Sequence, residues 1–429
     1  MIEYRAQENA YIDLSGCDKS VLNDLLEIGA QVKEKLGLMA SPIQCVSGDR
    51  VYIGSIIGNL SLNNTRLIIS PKVPNDVNDP VAVVKALYER TLKCSMNNLS
   101  STIYFAKNSI VTSDELFIDV LASLFISSLN SALRGSKIMQ YEEKTAKCSV
   151  IKGRVLMGKQ LSAPVIDEKT WCKYNYMSDN NLYNQLLYWA CKYLSASVHN
   201  FGLKRKLLML SKEFTSQSDL LSVHAVKSMR LSRQFAEYID ALLIAQNLYL
   251  EAGGKKESGK AGQQICGYVI NMERAFENIV CYYTDAVALK LGFGHKGQAS
   301  IKFARANGKD DIDYDIRPDD LVYYNGRYLI MDAKYKVLST ENHRKRKPSR
   351  DDFYQMVCSC IAYNSPEAIL VYPLTAKFPN QTWDTVRAVN GQQISVKSVG
   401  IDILGDINGI TDTIKNALQK SYLNKEITT

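Results

Sequence analysis

The chain has 429 residues, of which 46% are hydrophobic, and its formal net charge at pH 7 is +8. This length allows two or three domains, each with its own core. The mild basic excess suits a polyanionic partner, but it also suits many other proteins. The ten cysteines are scattered, with no CxxC pair and no histidine cluster nearby, which disfavours both a disulfide framework and a zinc site.

The start of the chain and its apolar segments favour a cytoplasmic protein. Residues 1–9 lack the basic and apolar regions of a signal peptide. The apolar runs near 119–129 and 239–250 are too short or too polar to span a bilayer. We therefore expect reduced cysteines, no export and no membrane partner.

The amino-terminal region, residues 1–178, is predicted to be an α+β domain. Residues 20–36 carry an apolar stripe at helical spacing, and short β-rich runs follow between 51 and 73. Two further helices are predicted over 80–92 and 113–134. Together these elements indicate a compact beginning of the fold.

Within this region, the segment 138–165 is polar, basic and strand-like. Its positive charges include Lys147, Lys152, Arg154 and Lys159. Such a segment could contact nucleic acid, protrude towards a protein partner, or form an ordinary solvated hairpin. The residues alone leave all three readings open.

Residues 179–262 are predicted to be a helical connecting region that ends in a flexible loop. Amphipathic helices are expected over 180–214 and 229–250, and a Gly-, Lys- and Ser-rich stretch follows at 253–262. The string from Gly254 to Ala261 resembles a P-loop, but Ala261 replaces the Ser or Thr that binds Mg²⁺ and a helix precedes it. We do not interpret it as a nucleotide site.

The region 263–429 is predicted to begin with a helix over 271–290 that has Glu277 at the margin of its buried face. The GxGxxG string at 292–297 follows a helix and leads into a strand, which inverts the dinucleotide-binding context, so we predict a helix end and a turn. The acidic run 310–315 lacks the glycine and glutamate of a calcium loop and is predicted to be a strand. Glu277 could reach the acidic hairpin described next, or it could be a solvated glutamate.

Residues 318–334 contain the strongest local signal in the chain. Asn325-Gly326 predicts a two-residue hairpin turn, because a type I′ turn needs positive φ at both positions. Counting outward from that turn pairs Asp319 with Asp332. Lys334, two residues further on, returns to the same face of its strand.

Two opposed carboxylates repel each other unless a cation lies between them. Oxygen ligands suit Mg²⁺, which polarises a phosphate, and a neighbouring lysine would stabilise developing negative charge. This arrangement therefore favours metal-dependent phosphodiester hydrolysis, although a surface hairpin with scattered acids would contain the same residues. The spacing Pro318-Asp319, twelve residues, Asp332-Ala333-Lys334 resembles the PD-(D/E)xK nuclease signature.

Downstream of the hairpin, a basic run is followed by a helix and a buried strand. The run is either a mobile arm over a DNA backbone or a disordered loop, and its position beside the hairpin favours the arm. Its cations are Arg344, Lys345, Arg346, Lys347 and Arg350. Gln355 lies one turn into the helix and could orient water or phosphate. The order hairpin, helix, strand predicts an α/β nuclease domain with a mixed sheet flanked by helices.

Taken together, the chain resembles the McrC family, the nuclease subunits of McrBC-type 5-methylcytosine restriction systems. The carboxy-terminal half carries the clearer resemblance, at 271–280, 316–322, 330–336, 352–356 and 370–373. The amino-terminal half is matched more loosely, at 52–54, 67–73, 152–154 and 181–184.

The resemblance implies roles for particular residues. Asp319 and Asp332 would bind Mg²⁺, or Mn²⁺ in its place, with Glu277 as the helix-borne acid. Lys334 would be the catalytic lysine and Gln355 a supporting residue.

The resemblance also implies two partners. One is double-stranded, modified DNA. The other is a hexameric McrB-like AAA+ GTPase, which binds GTP itself and receives an amino-terminal projection of the McrC-type subunit; in this chain the projection would be the basic segment near 144–160. Two other functions stay open from the sequence: a non-catalytic activator of the GTPase, and a stand-alone structure-specific nuclease.

Overall fold

A computed structural model of the chain forms two compact units, residues 1–106 together with 263–429, and residues 107–262. The residues that the structure describes are 2–47, 49–72, 86–87, 90–91, 94, 99–105, 115–162, 168–214, 221–230, 233–253, 265–304, 314–338, 347–375, 378, 381–385 and 393–422. Within these ranges, no helix combines the length and the hydropathy needed to cross a membrane.

The amino-terminal part of the first unit is α+β, as predicted. Its elements are β1 (Ile2–Gln7), β2 (Tyr11–Asp13), α1 (Lys19–Leu36), β3 (Ile43–Ser47), β4 (Arg50–Ile53), β5 (Ile56–Leu62), β6 (Thr65–Ser70), α2 (Leu99–Thr102) and β7 (Ile103–Phe105). The side chain of Asp18 caps α1 by accepting from the Ser20 N–H, and Gly37 ends it in the left-handed region. The apolar stripe of α1 packs into a buried core with β5 and β6. The helix predicted over 80–92 lies largely outside the described residues.

The second unit is mostly helical. Its elements are α3 (Glu115–Leu133), β8 (Gln140–Cys148), β9 (Arg154–Val155), α4 (Met157–Leu161), β10 (Thr170–Ser178), α5 (Leu182–Ser197), α6 (Phe201–Ser211), α7 (Val223–Lys227), a 3₁₀ helix (Arg233–Tyr238) and α8 (Ile239–Gly253). The helix predicted over 229–250 begins only at Ile239, because the backbone of Phe235 leaves the helical region at φ −113°, ψ 27°. The P-loop-like string 254–261 lies outside the described residues.

The basic segment is not a simple hairpin. β8 and β9 each pair with β10, so the strand order is β8-β10-β9 and the two basic strands are not neighbours. The sequence did not predict this arrangement, because β10 follows β9 only after a further helix, α4, and pairs with a strand that lies more than 20 residues earlier.

The carboxy-terminal part returns to the first unit. Its elements are β11 (Cys266–Asn271), α9 (Met272–Leu291), β12 (Gly294–Gly297), β13 (Ile301–Ala304), β14 (Tyr314–Ile316), β15 (Asp320–Tyr324), β16 (Arg327–Ala333), α10 (Arg350–Ala362), β17 (Glu367–Pro373), β18 (Thr382–Asp384), β19 (Ser395–Ile401) and α11 (Ile407–Tyr422). Gly292 ends α9 at φ 73°, as predicted, but residues 294–297 continue as a strand rather than a turn.

Two sheets organise the first unit. β11 inserts between β5 and β7 in the order β1-β6-β5-β11-β7, which explains why residues 1–106 and 263–429 form one unit. The predicted boundary at 262/263 coincides with a unit boundary, whereas that at 178/179 lies inside the second unit.

The other sheet has the order β12-β15-β16-β17-β19-β18 and is mixed, with parallel pairs β16–β17 and β17–β19. Met356 and Cys360 of α10 pack with Ile330 and Leu370 on one face of this sheet. Ile369, which alternation places on the opposite face, lies beside Ala417 of α11. Helices therefore flank this mixed sheet as predicted.

Candidate active site

The hairpin of β15 and β16 has the predicted turn and register. Asn325 and Gly326 have φ values of 48° and 73°, and Tyr324 pairs with Arg327. The pairing continues outward to Asp320 with Met331, so the next step of the same register is Asp319 with Asp332. Asp319 lies one residue before β15, and its Oδ2 accepts a hydrogen bond of 2.9 Å from the Ala333 N–H. The two acids are therefore brought together at the end of the hairpin.

Side chains from three directions hold these two acids. The ammonium of Lys334 contacts Oδ2 of Asp332, which is almost completely buried. Gln355 of α10 donates a long hydrogen bond of 3.4 Å to Asp332 Oδ1. Gln298 donates one of 2.9 Å to Asp319 Oδ1. Asp332, Lys334 and Gln355 therefore lie in one cluster with Asp319.

Glu277 joins this cluster from α9. Asn271 caps the helix by accepting from the N–H groups of Glu273 and Arg274, so the first turns present Glu277 towards the hairpin. Glu277 and Asp319 line the same cleft as Arg274. Burial, followed by the negative charge of Asp319, raises the pKa of Glu277 to about 8, against a smaller lowering effect of Lys334. The helix-borne acid is thus electrostatically part of the site.

The acids destabilise one another's charged forms. Burial and then the charge of Asp319 raise the pKa of Asp332 to about 7, although Lys334 opposes the shift. Burial also raises the pKa of Asp319, against the hydrogen bond from Ala333 and the charge of Lys334. For Lys334, burial lowers the pKa, but the charges of Asp332 and Asp319 outweigh it and the net shift is upward. Lys334 therefore stays positively charged at neutral pH.

The donor set fits a hard divalent cation. Glu277, Asp319 and Asp332 carry three negative charges when ionised and Lys334 carries one positive charge, so the cluster is left with two uncompensated negative charges. Carboxylate oxygens are the ligands that Mg²⁺ prefers. A divalent ion would balance these charges and offset the repulsion between the carboxylates, which adds to burial in raising the pKa values of Glu277 and Asp332.

A network behind the hairpin fixes the residues that follow Lys334. The hydroxyl of Tyr335 donates to Glu8 Oε1 at 2.6 Å, and the Lys72 ammonium donates to the Tyr335 carbonyl at 3.0 Å. Lys336 forms an ion pair with both carboxylate oxygens of Asp352 at 2.8 and 2.9 Å. Residues of the amino-terminal part of the chain and of α10 thereby hold the two residues that follow Lys334.

The predicted DNA-contacting residues are only partly described. Lys347 and Arg350 are exposed, and Arg350 begins α10 directly after the cap Ser349. Arg344, Lys345 and Arg346 lie outside the described residues. Their contact with DNA therefore stays a prediction.

The predicted partner-contacting residues lie on one small sheet or next to it. Lys147 lies on β8, Arg154 on β9 and Lys159 on α4, while Lys152 lies between the two strands. Three of these ammonium groups lie over aromatic rings of β10: Lys147 and Lys159 over Trp171 at 5.8 and 5.4 Å, and Lys152 over Tyr174 at 5.7 Å. Trp171 and Tyr174 are half-buried. Interleaved cations and rings suit a macromolecular contact.

The sequence reasoning missed several residues near the acids. Gln298 and Arg317 lie beside Asp319 in the cleft. Arg317 directly precedes the Pro318-Asp319 pair, so its position in the motif was an available signal. Gln298 had no such signal, because it is 21 residues from Asp319 and meets it only through the pairing of β12 with β15.

The fold and the site define a mixed α/β protein with a buried candidate active site of three acids and a lysine. The chain belongs to the family described as McrBC 5-methylcytosine restriction system component, whose sequence profile matches residues 51–373. The family match spans most of the chain and supports the resemblance to McrC-type subunits.

A solved structure shares the fold. A chain of the refined half-complex from the tetradecameric assembly of Thermococcus gammatolerans McrB AAA+ hexamers with bound McrC is 15% identical, with a TM-score of 0.60 over 98% of this chain and 100% of that chain. A chain of the Thermococcus gammatolerans McrBC complex, studied by cryo-electron microscopy, is also 15% identical, with a TM-score of 0.42 over 65% of this chain and 86% of that one. No curated protein is significantly similar to the chain.

Proposed function

We propose that this protein is the Mg²⁺-dependent endonuclease subunit, of PD-(D/E)xK type, of a GTP-dependent restriction complex that cleaves modified DNA. The observation that carries the proposal is the convergence of Glu277, Asp319, Asp332 and Lys334 at the end of one hairpin. The family membership supports the restriction role.

In this proposal, Asp319, Asp332 and Glu277 hold the cation, and an all-oxygen donor set also accepts Mn²⁺. When bound, the ion would supply Lewis-acid polarisation of the scissile phosphate. Asp319 is held for this role by the Ala333 N–H and by Gln298. Asp332 is held by Lys334 and Gln355.

Lys334 acts as a fixed positive charge rather than as a base. Its pKa is raised by Asp332 and Asp319 beyond the lowering effect of burial, so it retains its proton at neutral pH. An ammonium at this position stabilises the negative charge that develops on a phosphate during hydrolysis. Gln355, which is exposed and one turn into α10, is available to orient water or a phosphate oxygen.

Double-stranded DNA would approach along the basic run that precedes α10. Lys347 and Arg350 are exposed, and they follow Arg344, Lys345 and Arg346 in the sequence. Contacts of this kind bind phosphates without reading sequence, and they weaken steeply with salt. Recognition of the modified base is then left to the partner.

The partner in this proposal is a hexameric McrB-like AAA+ GTPase, which binds GTP. The similar half-complex contains McrB hexamers with bound McrC. On this chain, the candidate contact surface is the sheet β8-β10-β9 with α4. Besides its lysines, this region exposes large apolar side chains, among them Val150, Ile151, Met157 and Leu161. Exposed apolar residues beside cations are typical of a protein–protein contact.

The test is DNA cleavage by the complex reconstituted with its GTPase. Asp332→Ala should reduce cleavage at least about 100-fold, because it removes a cation ligand and the partner of Lys334. Lys334→Met should cost about 100- to 1,000-fold for the loss of one charge stabiliser. The matched control is Asp402→Asn, at an exposed carboxylate before α11. Full cleavage by Asp332→Ala would refute the nuclease assignment.

A second candidate function, activation of the GTPase without catalysis, is favoured by the basic and aromatic sheet of the second unit. GTP turnover by the partner separates the two functions. The double variant Lys152→Glu/Arg154→Glu should stimulate GTP turnover by the partner less than wild type does, whereas Asp332→Ala should stimulate it fully. The control is Lys33→Glu, on α1. If Asp332→Ala changes neither cleavage nor turnover, the chain is an adaptor. Cleavage by the isolated chain would instead indicate a stand-alone nuclease.

A further inference from the structure

A second cluster of metal-ligating side chains lies beside the acidic site. Cys281 of α9, His295 of β12 and Asp320 of β15 bring a sulfur, a nitrogen and an oxygen donor within 4.8 Å of one another. Cys281 is one helical turn beyond Glu277, and Asp320 directly follows Asp319. Alternation along the chain therefore separates the two clusters: Asp319 joins the acids, and the next residue joins the cysteine and histidine.

The local fold explains how these donors meet. α9 ends at Gly292, and β12 follows at once and pairs with β15, with Gly297 opposite Asp320. A Cβ at Gly297 would lie 2.8 Å from Cys281 Sγ, so only a glycine lets the strand approach the thiol this closely. The cluster is thus built by the contact between the helix and the edge strand.

The imidazole of His295 is held between two carboxylates. Its Nε2 lies 2.8 Å from Asp320 Oδ1, and its Nδ1 lies 3.0 Å from Asp285 Oδ1. The His295 side chain is 6% exposed and that of Asp320 is fully buried, whereas Asp285 is exposed. A histidine that binds a metal through one ring nitrogen usually donates the other N–H to a carboxylate, which is the role that Asp285 is placed to fill.

One oxygen of the buried Asp320 carboxylate is not paired in the way that its other oxygen is paired with His295. Oδ2 of Asp320 is buried and accepts no hydrogen bond of ordinary geometry from the described part of the chain. The Cys281 thiol is only partly exposed and lies against the same carboxylate, with its sulfur within 4.8 Å of the His295 and Asp320 donor atoms.

We propose that Cys281, His295 and Asp320 bind a divalent transition-metal ion, with Zn²⁺ as the best match. Sulfur and imidazole are ligands for Zn²⁺ and not for Mg²⁺, so the donor types keep this site distinct from the all-oxygen cluster. The ion would be bound by Cys281 Sγ, His295 Nε2 and a carboxylate oxygen of Asp320, after the thiol and Nε2 have released their protons to solvent. The scattered cysteines predicted no zinc site, because only one cysteine takes part and its partners are 14 and 39 residues away in the sequence.

The test is Co²⁺ binding by the full chain after removal of metals with a chelator. Wild type should bind one equivalent with a thiolate-to-Co²⁺ charge-transfer band, and Zn²⁺ should displace it. Cys281→Ser should lose the band. Cys360→Ser, at the buried cysteine of α10, should keep it, and Asp332→Ala should keep it too, because the acidic cluster offers no sulfur.

A variant at the exposed Asp285 covers the case in which Cys281→Ser fails to fold. Asp285→Asn should weaken Zn²⁺ binding about 10- to 100-fold, the usual effect of removing a carboxylate behind a ligating histidine. Circular dichroism of each metal-free variant checks its fold. If wild type shows no thiolate band, or if the band survives in Cys281→Ser, His295 is only a cation clamped between two acids and the proposal is overturned.

Discussion

Binding of Mg²⁺ to the acidic cluster should release protons, because two of its three acids hold protons near neutral pH. Burial and neighbouring acids raise the pKa of Glu277 to about 8 and that of Asp332 to about 7. Burial is the largest cause for both acids, Asp319 raises both pKa values and Lys334 lowers both. Asp332 and then Glu273 further raise the pKa of Glu277, and Asp352 further raises that of Asp332. Metal ligands must be deprotonated to bind, so cation affinity is lost as pH falls through these values.

The size of the effect follows from the two pKa values. Both acids have a pKa at or above 7, so binding at pH 7 should release about one proton or more. The number of protons released is also the slope of the logarithm of affinity against pH, so affinity should rise about tenfold or more for each pH unit near 7. Glu277→Gln removes the acid with the higher pKa and should therefore release fewer protons than wild type.

Isothermal titration calorimetry in buffers of different ionisation enthalpy measures the proton release directly. Glu34→Gln, at an exposed carboxylate of α1, is the control and should behave as wild type. The free energy of unfolding gives a second readout. Both acids have a folded-state pKa above the ordinary value, so the metal-free chain should lose stability as pH rises from about 4.5 to 8. Proton release near zero in wild type, or equal release in Glu277→Gln, would refute the reasoning.

Three predictions concern stability, measured as the free energy of unfolding of the full chain in denaturant. Tyr335→Phe should cost about 1–3 kcal/mol, because it removes the only hydroxyl that donates to buried Glu8 within the described chain; no loss would mean that Glu8 finds another donor. Gly153→Ala should cost about 1–3 kcal/mol, since its φ is +62° and a Cβ would lie 2.5 Å from the Lys173 carbonyl oxygen. Gly326→Ala should cost less, about 1 kcal/mol, because φ is +73° but the space around it is open; an equal cost for both glycines would contradict the role of the steric contact.

Local signals in the sequence were sufficient to predict the hairpin of β15 and β16 and the helices α1 and α9. Asn325-Gly326 determines the register of β15 and β16, because a two-residue turn leaves a single pairing and alternation then places each side chain. The apolar spacing of α1 and α9 likewise marks their buried faces, and the caps Asp18 and Asn271 mark where they begin. The meeting of Asp319 with Asp332 followed from these local rules alone.

The surroundings of the acids were decided by tertiary structure. Gln298 reaches Asp319 across 21 residues, and Tyr335 reaches Glu8 across 327 residues. Periodicity tells which face of a helix or strand is buried, but it does not tell which other element covers that face. For the same reason, the sequence did not predict that β11 joins the amino-terminal sheet or that β10 lies between β8 and β9.

The cluster of Cys281, His295 and Asp320 shows the same division most clearly. Each residue had an ordinary local context, and neither spacing nor composition linked them. Packing of α9 against the edge strand β12 brought the three donors together. The sequence by itself thus determined the hairpin that carries two acids and a lysine, since turn geometry acts over a few residues. Only the tertiary structure decided what surrounds them, because contacts between distant segments depend on how whole elements pack.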